Sequence, residues 1–199
     1  MKRQVYPSGK AFVTEYDNAG RIAGVKKDGA GYHAGASPTD AANRNQYTAH
    51  GAVGAMKLGN GKWEHTDYNG RLQPTLIGLG TSSVDSSLLK LEYTYNTTGQ
   101  TDNNGNVLTQ KITAPETQSG SLVLTQNYSY DALNRLSVAE ELISTTSQWK
   151  QKYDIDLWGN RAVRNDSTYT TVEYYHDPKS DRPVKEKIDE VKKYEKPKD

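Results

Sequence analysis

The chain has 199 residues, a formal net charge of +1 and no cysteine. Disulfides and thiolate metal sites are therefore excluded, and the near-neutral charge gives no electrostatic case for nucleic acid or an acidic membrane surface as a partner. Ile, Leu, Val and Phe make up only about 17% of the residues, whereas there are 14 tyrosines, a composition typical of a β-protein with a thin core.

The N-terminal part of the chain contains turn signals on both sides of a short apolar segment. No apolar run follows the basic residues of "MKRQVYPSGKAF", so we expect neither a signal peptide nor a membrane span. Pro-Ser-Gly at 7–9 and "YDNAG" at 16–20 flank a predicted strand at 11–16. Segment 28–46 is rich in Gly, Ala and Asn and lacks clear periodicity, so we interpret it as a long loop or a degenerate repeat.

Further hairpin signals follow in the middle of the chain. "LGNGK" at 58–62 and "TDNNGNVL" at 101–108 each contain Asn-Gly, a strong signal for a tight turn. "TDYNG" at 66–70 and "YNTTG" at 95–99 have the same residue spacing as "YDNAG". These signals predict a series of antiparallel hairpins.

The stretch "YSYDALNRL" at 128–136 indicates how the recurring turn is built. Tyr128 and Tyr130 lie on one face of a predicted strand because side chains alternate. Asp131 suits the first position of a type I turn, where its carboxylate accepts backbone N–H groups, and Asn134 suits a left-handed conformation. A type I turn followed by a left-handed residue closes a short hairpin.

Five segments share this pattern, and "IDLWG" at 155–159 is the last. The first turn position is Asp or Asn and the fourth is Gly or Asn in every copy, while the spacing between copies varies. Stacked hairpins with variable loops at their other ends would give such a pattern. The predicted turn residues are Asp17, Gly20, Asp67, Gly70, Asn96, Gly99, Asp131, Asn134, Asp156 and Gly159.

These patterns predict an all-β region over 1–176, made of antiparallel hairpin repeats in a curved sheet. The predicted strands lie near 11–16, 52–58, 62–66, 71–77, 88–95, 106–113, 121–130, 135–142, 149–155 and 161–174. Residues 177–199 form a charged tail in which Val184, Ile188 and Val191 fall on one helical stripe. We therefore expect a short C-terminal helix over 184–195.

No group of residues in the sequence indicates catalysis or a cofactor. His33, His50, His65 and His176 lack the spacing of a metal site, and no nucleophile motif surrounds the serines. Turn capping explains the repeated aspartates without a metal ion. We expect no enzymatic activity, no cofactor and no bound metal.

Several of the quoted segments resemble the YD repeats of the Rhs and teneurin-like proteins. "YDNAGRI", "YDALNRL" and "DLWGNR" are similar to the repeat itself, and "GAMKLGNGKWEHTDYNGRLQP" at 54–74 is similar to a bacterial Rhs pattern. The resemblance covers about residues 5–175. It implies hairpins laid side by side in a strip that spirals into a shell, which in bacterial polymorphic toxins encloses a C-terminal toxin before delivery.

The resemblance implies a non-enzymatic scaffold whose partners are the remaining repeats or the toxin cargo of a larger shell. Such a protein is secreted or at the cell surface, and the thin, open sheet predicts self-association through its edges. The chain is much shorter than a whole shell and lacks the family's Gly-rich segment with its Asp-Pro cleavage site, so we interpret it as an internal piece or a short paralogue. The alternative is a carbohydrate- or cell-surface-binding module that uses Trp63, Trp149 and Trp158 to stack on sugars.

Overall fold

The computed structural model of the protein describes residues 2–97, 99, 101–116, 120–156, 159–165, 174–176 and 183–185. Within these residues the chain is all-β and contains no helix, and every strand pairing between them that is assigned a register is antiparallel. The predicted fold class is therefore confirmed. The strands are β1 (Lys2–Val5), β2 (Ala11–Tyr16), β3 (Ile22–Lys27), β4 (Tyr32–Gly35), β5 (Gln46–Tyr47), β6 (Val53–Lys57), β7 (Trp63–Tyr68), β8 (Pro74–Gly80), β9 (Leu89–Thr94), β10 (Thr109–Glu116), β11 (Gly120–Tyr130), β12 (Leu136–Ile143), β13 (Thr146–Ile155), β14 (Arg161–Asn165), β15 (Tyr174–His176) and β16 (Pro183–Lys185).

The chain divides into two compact units, Met1–Thr125 and Gln126–Asp199. In the first unit, β1 to β4 form one sheet in chain order and β5 to β10 follow one another in a second. In the second unit, β12, β13 and β14 are hydrogen-bonded in chain order, and β15 pairs with β16. Each strand is thus paired with its neighbour in sequence, as in a meander of hairpins. The domain boundary predicted at residue 176 falls within the second unit, and the β15–β16 hairpin spans it.

The hydrophobic core is small, as the composition predicts. Most of its buried apolar residues are alanines, and none of the described side chains is both large and fully buried. The buried apolar residues are Ala11, Val13, Ala23, Ala36, Ala55, Trp63, Tyr95 and Ala139. Backbone pairing and polar side-chain contacts therefore take a larger share in holding this fold than they do in a domain with a thick core.

Five strands occur where the sequence analysis predicts none, namely β1, β3, β4, β5 and β16. One of them, β4, lies inside segment 28–46, which was interpreted as a loop or a degenerate repeat. In β3 and β4, glycines hide the strand pattern because the backbones approach closely at these positions. A Cβ on Gly24 would lie 2.5 Å from the carbonyl oxygen of Ala36, and one on Gly35 would lie 2.2 Å from that of Ala23. The small residues that allow this contact also remove the period-2 pattern.

The predicted C-terminal helix needs correction at its start. Val184 and Lys185 belong to β16, where Val184 is opposite Tyr175 and Lys185 is opposite Tyr174. Val is β-branched, which lowers its helix propensity and raises its strand propensity. The rest of the predicted helix, 186–195, lies outside the described residues.

Candidate functional site: the repeated turn and its contacts

One backbone geometry closes seven turns in the described part of the chain. In each turn the first residue donates its N–H to the carbonyl of the fifth, and the fourth donates its N–H to the carbonyl of the first. The fourth residue always has a positive φ, between 59° and 90°. This is a type I turn followed by a left-handed residue. The seven turns begin at Tyr6, Asp17, Thr48, Leu58, Asn69, Asp131 and Asp156.

An aspartate at the first position adds side-chain bonds to this backbone geometry. Oδ1 of Asp131 accepts the N–H groups of Leu133 and Arg135, each at 2.9 Å. Its Oδ2 accepts Nε of Arg135 at 2.6 Å. The N–H group of Arg135 is the main reason that the pKa of Asp131 lies below its usual value, and the arginine side chain lowers the pKa further. The carboxylate thus stabilises the turn in its charged form.

Asp17 makes the same set of bonds in the first unit. Its Oδ1 accepts from the N–H groups of Ala19 and Arg21 at 2.9 Å, and Nε of Arg21 donates to Oδ2, also at 2.9 Å. The pKa of Asp17 is lowered, chiefly by the N–H of Arg21. Gly20 is the left-handed fourth residue, with φ 76°. In both turns the arginine at the fifth position therefore donates to Oδ2 of the aspartate at the first position. We call a fifth residue that makes this side-chain bond the clasp.

Asp156 starts a turn of the same form, with a different residue as its clasp. Its Oδ1 accepts the N–H of Asn160, and its Oδ2 accepts Nδ2 of Asn160, both at 2.9 Å. Gly159 is left-handed with φ 87°, as is Asn134 with φ 59° in the preceding turn. Arg161 instead stacks on the ring of Tyr153 at 4.8 Å from its centroid.

The turn predicted at 67–70 lies two residues further along. Asp67 belongs to β7, and Gly70 is at the second turn position, where its φ is not positive. Asn69 is the first residue, because its Oδ1 accepts the N–H groups of Arg71 and Gln73. Leu72 is the left-handed fourth residue, with φ 63°. The Asp-x-x-Gly spacing matches the wrong frame here, since the true fourth residue is neither Gly nor Asn.

The reversal predicted at 96–99 is part of a longer connection. β9 ends at Thr94 and β10 begins at Thr109, and the N–H of Leu108 closes the loop on the carbonyl of Thr94. Gly99 does have a positive φ of 78°. The capping role predicted for Asn96 stays a prediction, and the N–H and hydroxyl of its neighbour Thr97 donate to the carboxylate of Asp102. Sequence analysis missed Asp102, although its position two residues before an Asn-Gly pair is a recognisable turn signal.

Side chains from one turn also reach the next connection in the chain. Arg135 donates from Nη1 to the carbonyl of Asp156 at 3.3 Å. In the first unit, Arg71 donates to the carbonyl of Asn103, and the amides of Asn103 and Gln73 bond each other at 2.7 and 3.2 Å. These contacts hold neighbouring hairpin ends together. They are structural contacts and do not assemble a reactive centre.

The first sheet contains a buried ionic cluster that sequence analysis did not identify. Glu15 is 5% exposed, pairs with Nζ of Lys26 at 2.8 Å and accepts a hydrogen bond from the Tyr32 hydroxyl. The bond from Lys26 is the main cause that lowers the pKa of Glu15, and burial is the main cause that raises the pKa of Tyr32. Since both oxygens of Glu15 have partners, the cluster joins three strands and presents no free base.

The remaining sequence candidates do not come together. His65 is buried beside Ser86, with Nε2 3.4 Å from Oγ, whereas His33 and His50 are exposed in other strands and loops. No group of three His, Cys, Asp or Glu side chains in the part of the chain that is described could hold a metal ion. Trp63 is buried at the start of β7, Trp149 is half-buried within β13, and Trp158 lies outside the described residues. Among those residues, no helix is long and apolar enough to cross a bilayer.

Comparison with known proteins gives matches among solved structures only. No family model and no curated protein matches the chain. A crystal structure of TcdB2-TccC3-TEV matches with a TM-score of 0.68 and 18% identity, over 93% of this chain and 10% of that one. A crystal structure of TcdB2-TccC3-Cdc42 matches with a TM-score of 0.69 and 19% identity, over 92% of this chain and 10% of that one. The chain thus shares their fold and spans about a tenth of their length.

Proposed function

We propose that this chain is a non-enzymatic scaffold, part of a Rhs-type shell that encloses or displays a C-terminal toxin or effector for delivery. The observation that carries the proposal is the single turn geometry, repeated at seven hairpin ends of an antiparallel meander in the described residues. Each turn is closed by its own residues, so hairpins can be added side by side without a new core. The shared fold with much longer chains supports the same function.

Polar contacts between turns stabilise this scaffold where its small core cannot. A strip of thin hairpins cannot gain much free energy from burial, so bonds such as Arg135 to Asp156 and Asn103 to Gln73 supply local rigidity. Charged side chains that are engaged in turns are not available for catalysis. In this proposal the partners are further repeats and the enclosed cargo, and the whole protein acts outside the cell or at its surface.

The carbohydrate-binding alternative has less support. Trp63 is 7% exposed and offers no free ring face to a sugar, and Trp149 is half-buried. Stacking on a sugar requires an accessible aromatic face. We therefore do not propose carbohydrate binding as the function.

The test is to determine the reading frame that encodes this chain and to express the whole protein. We expect further YD-type repeats upstream and a different C-terminal domain downstream. In limited proteolysis, that domain should be cleaved slowly within the intact protein and rapidly when it is expressed alone. Equal cleavage in both forms, or a frame without further repeats, would contradict the proposed function.

A further inference from the structure

Asn-Gly pairs are positions at which a polypeptide can react with itself. The backbone nitrogen of the glycine lies next to Cγ of the asparagine, and no Cβ hinders its approach. The sequence contains three such pairs, at 60–61, 69–70 and 104–105. A Cβ placed on any of the three glycines would meet no atom within 4 Å. Steric access is therefore the same for all three pairs, and their hydrogen bonds decide which one reacts.

The side chain of Asn69 is held at both atoms of its amide. Its Oδ1 accepts the N–H groups of Arg71 and Gln73 at 2.9 and 3.0 Å, and its Nδ2 donates to Oε1 of Gln73 at 2.8 Å. The backbone of Asn69 also closes its turn. Cγ can reach the nitrogen of Gly70 only after these bonds break, so the fold protects Asn69.

Asn60 and Asn104 are both exposed and form a matched pair. Oδ1 of each accepts the N–H group two residues further on, from Lys62 at 3.0 Å and from Asn106 at 3.1 Å. The glycine after each has a positive φ, of 82° and 98°. The two sites share these features and differ in what holds the glycine nitrogen.

The difference lies in the acceptor of the glycine N–H. Gly61 donates to the carbonyl of Leu58 at 2.9 Å, which is one of the two backbone bonds that close the hairpin between β6 and β7. Gly105 donates to a side chain, Oδ1 of Asn103, at 2.9 Å, and lies in none of the seven turns. Rotation of the backbone toward ring closure therefore opens a hairpin in the first case and a side-chain contact of a longer loop in the second.

We propose that Asn104 is a self-modification site of this chain, which deamidates through a succinimide. The nitrogen of Gly105 attacks Cγ of Asn104, so that an N–Cγ bond forms and the Cγ–Nδ2 bond breaks. The amide leaves as ammonia with the proton that the nitrogen of Gly105 gives up. Water then opens the ring, giving aspartate by addition at Cγ and isoaspartate by addition at the backbone carbonyl carbon. This inference does not depend on the proposed function.

The reaction would loosen a contact between two hairpin ends. The imide nitrogen has no hydrogen, so Oδ1 of Asn103 loses the N–H of Gly105. The same side chain bonds to Gln73 at 2.7 and 3.2 Å, and the carbonyl of Asn103 accepts from Arg71. Isoaspartate adds a methylene group to the main chain, and either product adds a negative charge to the loop. The contacts of Asn103 with the turn at 69–73 should therefore weaken as the protein ages.

The test follows deamidation in the full folded chain at mildly alkaline pH. Samples taken at intervals are digested with trypsin, which places the three pairs in separate peptides, 58–62, 63–71 and 91–111. Fragment spectra locate each deamidated residue, and isoaspartyl methyltransferase labels the isoaspartate. We expect Asn104 to react about tenfold faster than Asn60, because opening the bonds of a turn changes a population by about that factor. Asn69 should react no faster than Asn60.

The same chain in concentrated urea is the control for intrinsic reactivity. Unfolding removes every turn and leaves three Asn-Gly pairs of the same chemistry, so they should react there at similar rates. Isoaspartate labelling of the folded chain should disappear in Asn104→Gln and persist in the matched variant Asn60→Gln. Reaction at Asn60 or Asn69 in the folded chain as fast as at Asn104, or labelling that persists in N104Q, would overturn the inference.

Hydrogen–deuterium exchange gives a second measurement, on the consequence of the reaction. Exchange at 69–73 should become faster in aged protein than in fresh protein, and it should be unchanged in aged N104Q. If deamidation at Asn104 leaves exchange at 69–73 as it was, the predicted loosening of this contact is wrong.

Discussion

At the residue scale, the fourth position of the common turn makes the strongest demand on the sequence. It is left-handed in all seven turns of the described residues, and five of these positions are Gly. The other two are Asn134 and Leu72. Asn tolerates this conformation, whereas Leu adopts it at a cost of roughly 1 kcal/mol. The Asn69 turn is therefore the one with the least favourable backbone chemistry.

Two glycine substitutions separate this backbone effect from steric effects. Gly20 has φ 76° and Gly70 does not have a positive φ, yet a Cβ at either position would meet no atom within 4 Å. We expect Gly20→Val to lower the free energy of unfolding by about 1–2 kcal/mol and Gly70→Val by less than about 0.5 kcal/mol. Urea unfolding of both variants measures the difference. Equal losses would show that the turn register assigned here is wrong.

The first turn position gives a prediction about acid stability. The pKa of Asp131 is lowered in the folded state, so its charge stabilises the fold above the unfolded-state pKa of about 3.9. That contribution disappears as the pH falls from about 4 through the lower folded-state pKa. Asn69 makes the same two Oδ1 bonds as Asp131. We expect Asp131→Asn to reduce the fall in Tm between pH 5 and pH 3, and Asn69→Asp to increase it.

Thermal unfolding followed by circular dichroism across this pH range measures both effects. The two substitutions are controls for each other, because each exchanges Asp and Asn at the first position of a turn with the same backbone geometry. A fall in Tm that is unchanged in both variants would mean that the carboxylate adds nothing to the turn beyond what an amide oxygen supplies.

At the scale of strands and hairpins, the sequence predicts elements well where the residues alternate and turns well where Asp and Gly are in frame. The predicted strand 11–16 matches β2, and the turn residues Asp17, Gly20, Asp131, Asn134, Asp156 and Gly159 occupy the predicted positions. β3 and β4 could not be predicted because close backbone contact requires Gly24 and Gly35. The Asn69 turn could not be placed because no pattern marks Leu as a left-handed residue. The side-chain clasps and the Glu15 cluster depend on pairing between strands, which the sequence alone does not give.

Packing between β7, β8 and the loop after β8 leads to a third prediction. A Cβ on Gly78 would lie 2.2 Å from Cε1 of His65, which is a side-chain atom, whereas one on Gly80 would meet the backbone of Asp85. Both Gly78→Ala and Gly80→Ala should destabilise by about 1–3 kcal/mol. Adding His65→Ala should recover part of the loss at position 78, because it removes the obstructing ring, and none at position 80.

Chemical denaturation of the single and double variants gives the coupling energies. The Gly80 pair is the control for a general effect of removing His65. A coupling of equal size in the two pairs would contradict the packing described for this part of the sheet.

At the scale of the whole chain, the core is small and an edge strand is exposed. We therefore expect the stability of the chain to depend on contacts with further repeats or with other chains. All four residues of β1, at the edge of the first sheet, are exposed. We expect the isolated chain to be weakly stable or to self-associate through its sheet edges rather than through the charged tail. Removal of 177–199 should leave association unchanged.

Analytical ultracentrifugation and thermal unfolding of the full chain and of truncated forms test this expectation. Truncation after residue 165 is the better comparison, because a cut after 176 separates β15 from its partner β16. Stable monomers with cooperative unfolding in every form would contradict the expectation and favour a self-contained module over a piece of a shell.

The turns that close on their own residues also have a practical consequence for protein engineering. The five residues from Asp131 to Arg135 contain every donor and acceptor that completes their turn, including the clasp. Such a unit is a cassette that could be grafted onto the end of another hairpin without redesign of either strand. Replacing residues 69–73 by this cassette would exchange the turn with a left-handed Leu for one with a left-handed Asn, and would remove the contacts of Arg71 and Gln73 with Asn103.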